Sequence, residues 1–107
     1  MDKESERKIQ QLQMLEQSIQ NIIMQKQNFQ ARLLESENAL NELSKDPKEI
    51  YKIIGNIMVS SNKKELEEDL KKNKEIFELR IKNLEKQEDL IREKAEKLQK
   101  EVMELIK

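Results

Sequence analysis

The sequence predicts a mainly α fold, an antiparallel two-helix coiled coil with a β-hairpin at the bend. Three observations predict it. Two long stretches place apolar residues at alternating steps of three and four, the spacing of a coiled-coil seam. Between them lies one segment rich in β-branched residues, which holds the sole Gly (Gly55) and the sole Tyr (Tyr51), with the sole Pro (Pro47) just before it. Finally, 40% of the residues are charged and only 3% aromatic, a composition of long helices rather than of a globular core. The chain reads as one structural unit over residues 1–107, with a first helix over 1–44, a hairpin segment over 45–62 and a second helix over 63–107.

In the first helix, with Leu12 at heptad position a, the a series is Leu12, Ile19, Lys26, Leu33 and Leu40. The d series is Leu15, Ile22, Phe29, Ser36 and Leu43, so Lys26 and Ser36 are its two polar interruptions. Ser44-Lys-Asp-Pro47 ends the helix, because proline lacks a backbone donor and disfavours helical geometry in the residue before it. The runs Ile50 to Ile54 and Ile57 to Val59 then flank Gly55-Asn56. Glycine first in a two-residue loop suits a type II′ turn.

Asn62 or Ser61 caps the second helix, and with Asn62 as the cap Glu65 takes the third helical position, as in a capping box. The second seam has d residues Phe77, Leu84, Ile91, Leu98 and Leu105 and a residues Ile81, Glu88, Ala95 and Val102, with Leu66 and Leu70 extending the stripe towards the cap. An antiparallel pair sets a against d. Pairing residues whose numbers sum to 110 achieves this, and the centre of that register is Gly55. Heptad phase and turn chemistry therefore agree on one geometry.

Several function classes are excluded. The chain has no His, Cys, Trp or Thr, which removes the commonest catalytic bases, thiol nucleophiles and nitrogen or sulfur metal ligands. One Gly cannot build a phosphate-cradling loop, so neither enzymatic chemistry nor a cofactor is expected. A net charge of −1 argues against nucleic acid, which calls for a basic face. No run approaches the roughly 18 apolar residues of a membrane span, and the first residues lack the apolar core of a signal peptide. The expected compartment is the cytoplasm. Acids and bases at i,i+4, such as Glu67 with Lys71, Glu78 with Lys82 and Glu93 with Lys97, read as a solvated face.

Three features stand out from that background. Lys26 and Glu88 are polar seam residues in adjacent layers; their long stems favour separate routes to water over a meeting, whereas a pair between them would fix register. The hairpin is the second feature. A lone hairpin is marginally stable, the seam is already filled, and Ile- and Val-rich strand edges ask for partners. An intermolecular interface is thus expected at Ile50, Tyr51, Ile53, Ile54, Gly55, Asn56, Ile57, Met58 and Val59. The chain ends are the third. In the same register Val102 faces Lys8 and Leu105 faces Ser5, so Val102, Met103, Leu105 and Ile106 are expected to stand uncovered, with Ile9 and Leu12 nearby. Apolar surface of this kind suits binding of exposed hydrophobic chains. The Ile22-Ile23-Met24 band is the alternative place for it.

The central string Asp46-Pro47-Lys-Glu-Ile-Tyr51-Lys-Ile-Ile-Gly55-Asn56-Ile-Met-Val-Ser and the later Leu84-Glu-Lys-Gln-Glu88 resemble the beta-subunit family of archaeal prefoldins. The resemblance spans essentially the whole chain. It implies an ATP-independent holdase that binds unfolded proteins at its coiled-coil tips and delivers them to a group II chaperonin. It further implies a hexamer of two alpha and four beta subunits, in which hairpins from several subunits assemble into an intersubunit β-barrel platform. The partners expected are the alpha subunit, other beta subunits, non-native proteins and the chaperonin. The alternative is a structural coiled-coil scaffold that oligomerises through its hairpin.

Overall fold

The computed structural model describes residues 2–107. Two helices, α1 (Lys3–Leu43) and α2 (Lys63–Leu105), flank two strands, β1 (Tyr51–Ile54) and β2 (Ile57–Ser60). The expected fold class is the one observed. Asp2 starts α1, its Oδ1 accepting the Ser5 backbone N–H at 2.8 Å. Because the anion accepts this bond, the Asp2 carboxyl is held below its ordinary pKa. At the other end the last turn tightens: Lys45 N donates to Glu42 O and Asp46 N to Leu43 O. Asp46 then takes a left-handed φ of 53°, and Pro47 prevents any continuation.

The strands pair antiparallel with Tyr51 opposite Ser60, Lys52 opposite Val59, Ile53 opposite Met58 and Ile54 opposite Ile57. A further bond from Ser61 N to Ile50 O at 2.9 Å lengthens the ladder. Gly55 has φ +60°, while Asn56 is not among the residues of positive φ; that combination is a type II′ turn. Asn62 caps α2, its Oδ1 accepting the Glu65 backbone N–H at 2.8 Å.

The described residues up to Gln27 form one compact unit with Ile81–Lys107. Its centre holds Ile19, Ile22, Leu84 and Val102, all buried, and Leu12, Leu15, Ile91, Ala95 and Leu98 are half-buried beside them. These are the a and d positions. Lys8 meets Glu101 at 3.1 Å and Lys26 meets Glu88 at 3.0 Å, so low numbers on α1 oppose high numbers on α2 and the helices run antiparallel.

The second unit is Asn28–Arg80. Leu43 and Ser36 are buried there, and Leu33, Leu40, Leu66 and Leu70 half-buried. The rings of Phe29 and Phe77 lie 6.1 Å apart and tilted by 39°, within the range of favourable aromatic pairs. Arg32 covers the Phe29 ring at 5.9 Å. Two ion pairs fasten the hairpin region to α2, Lys63 with Asp46 and Lys52 with Asp69. The Asp46 partner raises the Lys63 ammonium pKa.

Two expectations are corrected. Lys26 and Glu88 do not run separately to water: Glu88 Oε1 accepts from Lys26 Nζ at 3.0 Å and its Oε2 from Arg92 Nε at 2.8 Å. Their side chains keep only 21% and 13% of their exposure, so meeting offsets the desolvation that both suffer in the seam. The i,i+4 contacts also differ from those expected. Among the described residues they join Glu4 to Lys8, Lys63 to Glu67, Glu88 to Arg92 and Glu96 to Lys100.

Two outcomes are expected from this geometry. Lys26 and then Arg92 bond the Glu88 carboxylate and lower its pKa, so the pair stabilises the folded chain above the ordinary glutamate value. That stability is lost as pH falls through the lower folded value. A double-mutant cycle with Lys26→Leu and Glu88→Leu should show coupling of about 1–2 kcal/mol at neutral pH, with additive single effects arguing against it. For Gly55→Val, no heavy atom lies within 4 Å of the added Cβ, so the positive φ sets the cost, at least about 1–2 kcal/mol for a side chain branched at Cβ. Amide exchange should quicken in β1 and β2 while helicity is retained.

Candidate functional site

The hairpin presents apolar side chains on both faces. Strand alternation puts Tyr51, Ile53, Met58 and Ser60 on one face and Lys52, Ile54, Ile57 and Val59 on the other. On the second face Lys52 reaches Asp69 Oδ2 at 3.2 Å. Even so, Ile53 is 70% and Ile57 65% exposed, and Tyr51, Ile54, Met58 and Val59 are exposed as well; Ile50 is half-buried, while Gly55 and Asn56 stand exposed at the turn. The sheet has two strands only, which leaves the outer backbone groups of both without a strand partner. Just beyond β2, the buried Ser61 Oγ has no hydrogen-bond partner among the described residues. Such a group costs free energy until a donor or acceptor reaches it.

The chain ends differ in part from expectation. Val102 is buried, at 8% exposure, and so is Ser5. The first turn of α1, fixed by the Asp2 cap, carries a small serine that lets the helices close where a longer side chain would hold them apart. Val102 is therefore a seam residue and not an uncovered one. Ile9 and Leu12 are half-buried. Met103, Leu105 and Ile106 remain exposed. The Ile22-Ile23-Met24 band divides, with Ile22 buried, Ile23 half-buried and Met24 exposed.

The flank of the first unit holds a surface missing from the heptad reading. A groove of about 400 Å³ lies between the helices, lined by Met14, Leu15 and Leu98 and rimmed by Gln11, Lys94, Lys97 and Glu101. The signal available in the sequence was Met14 itself, an apolar residue at a c position. Lys8 bonds Glu101 of the rim and also faces Glu4; these carboxylates raise its pKa.

Among the described residues no group of three acidic side chains gathers as metal ligands, and no helix is long and apolar enough to cross a membrane. What the surfaces offer is apolar contact area, bordered by charge.

Comparison with known proteins agrees with that chemistry. The family described as "Prefoldin subunit" matches residues 6–107. The prefoldin subunit beta of Archaeoglobus fulgidus is 38% identical over 100 residues, covering 92% of this chain and 86% of the relative. That of Sulfurisphaera tokodaii is 36% identical over 105 residues, covering 96% and 84%. The crystal structure of the prefoldin beta subunit from Thermococcus strain KS-1 superposes with a TM-score of 0.88 at 29% identity, over 97% of this chain and 93% of that one. The beta2 subunit from the same strain shares the fold, with a TM-score of 0.76 over 81% and 95% at 24% identity.

Proposed function

This chain belongs to the prefoldin family of chaperone subunits, and on that premise we propose that it is an ATP-independent holdase subunit. It binds non-native proteins through apolar side chains near the chain ends and delivers them to a group II chaperonin in the cytoplasm. Its hairpin joins those of an alpha subunit and other beta subunits in a β-barrel platform, within a hexamer of two alpha and four beta chains. One observation carries the reading: besides apolar side chains exposed along the helices, the hairpin exposes Ile53, Ile54, Ile57, Met58 and Val59 within a few residues of one another, and the end of α2 exposes Met103, Leu105 and Ile106.

Each place suits one task. The hairpin offers strand edges and two apolar faces, which other hairpins can cover. Ile50, Tyr51, Ile53, Ile54, Ile57, Met58 and Val59 supply the interface, and Gly55 and Asn56 the turn that aligns it. At the ends, Met103, Leu105 and Ile106 offer client contact beside Ile9 and Leu12, with Val102 supporting them from the seam. Several weak apolar contacts presented by one assembly add through multivalency, so the mechanism needs no nucleotide and no covalent step.

Two experiments test this. Ile53→Asp or Ile57→Asp would bury a charge in the strand pairing, which is costly without a partner. Sedimentation should then show smaller species of unchanged helicity, and an unchanged mass would remove the hairpin from the interface. Deleting residues 103–107 leaves buried Val102 in place and removes three exposed apolar side chains. Burial is worth about 1.5–3 kcal/mol for each, so client affinity should fall about tenfold or more. Light scattering of a refolding client measures it, and equal protection by the truncated protein would place the client site elsewhere.

A further inference from the structure

The groove floored by Leu15 and Leu98 has a chemistry of its own. Met14 stands beside it, 68% exposed, and its thioether is a soft, adaptable contact for varied side chains. The rim is unevenly charged. Glu101 is engaged by Lys8 at 3.1 Å. Lys94 and Lys97 are exposed and form no ion pair among the described residues. One turn to either side of Lys94 are Leu90 and Leu98, so no carboxylate on its own helix face neutralises it. Glu93 and Glu101 lie one turn to either side of Lys97, yet neither is within ion-pair distance of it. From α1 the groove receives Gln11 and Met14, both uncharged. An apolar floor thus lies under two free ammonium groups.

Resting on the holdase reading, we propose that this groove selects extended client segments in which an apolar side chain is neighboured by carboxylates. The apolar side chain seats on Leu15 and Leu98 against Met14, and the carboxylates face Lys94 and Lys97. Charge complementarity chooses this occupant. A basic segment would oppose both ammonium groups, and a neutral one would leave them without partners.

The test uses labelled peptides with a central Leu flanked by Asp, by Ser or by Lys, titrated into the assembled full-length protein. The Asp-flanked peptide should bind about two- to tenfold tighter than the Lys-flanked one at low salt, with the gap closing at high salt. The double variant Lys94→Glu/Lys97→Glu should invert the order with helicity unchanged, since both side chains are exposed and unpaired. Met14→Asp should weaken the Ser-flanked peptide as well, by spoiling the apolar seat. Equal wild-type affinities, or an order unmoved by the double variant, would overturn the proposal. So would peptide binding that weakens as protein concentration rises, because a second copy of the chain would then fill the groove. Protection of an unfolded client is measured alongside. Protection without any order of affinities overturns the groove preference alone; an order without protection keeps the groove and overturns the holdase reading.

Discussion

A pair of helices can cover only one stripe on each partner, and this limited capacity governs the rest of the molecule. The a and d residues fill it: Ile19, Ile22, Leu84 and Val102 in one unit, with Leu43 and the facing Phe29 and Phe77 in the other. Apolar residues off those positions have nowhere to go. Met14, Met24, Leu34, Ile76, Leu79 and Leu90 all lie exposed on the helices. A larger core would have drawn the hairpin in too, but here the helices fill each other's seam positions. Its exposure follows from the geometry of two helices rather than from anything peculiar to the strands.

The same narrowness explains how the seam tolerates a charged layer. In a thick core, Lys26 and Glu88 would lose the last of their hydration and any third partner from outside, and pairing would scarcely repay it. In this seam the exposed Arg92 can bond the free oxygen of Glu88 from outside, so one carboxylate serves two cations and no buried charge is left over. The layer thereby acts on specificity as well as stability. A slipped pairing would part Lys26 from Glu88 and leave both charges in the seam without their inner partner. A seam of leucines alone offers no such penalty to wrong registers.

Much of this was legible in the sequence, for identifiable reasons. Heptad phase is a long repeated signal, so the buried stripes and the antiparallel match could be counted out residue by residue. Gly55 and Asn62 were readable because each does something few residues can, the one taking positive φ and the other accepting a helix N–H. The misreadings are all side-chain decisions. Periodicity sets Lys26 near Glu88 but not the rotamers that let them touch. It leaves Val102 opposite a polar stretch without showing that Ser5 is small enough to be buried there. Asp2 could have been read as a cap three residues before Ser5, which would have carried α1, and the cover over Val102, to the start of the described chain. Met14 went unread because a single apolar residue at a c position is ordinary; only the groove beside Leu15 and Leu98 distinguishes it.

Charge and exposed apolar surface, usually at odds, are compatible here because they occupy different scales. With 40% charged residues and a net charge of −1, acids and bases nearly balance, and they are densest along α2. Exposed apolar residues on the helices are broken up by polar or charged neighbours, Met14 and Met24 by glutamines and asparagines and Leu79 by Glu78 and Arg80. A non-native chain differs from a folded partner, since its own apolar residues are spaced by charged and polar ones and it can adjust to meet several such points in turn. Weak, separated contacts discriminate between the two kinds of partner by number, not by strength. On the holdase reading proposed above, folding of a client would withdraw its apolar residues one after another, and the contacts would lapse without any change in the protein that held it.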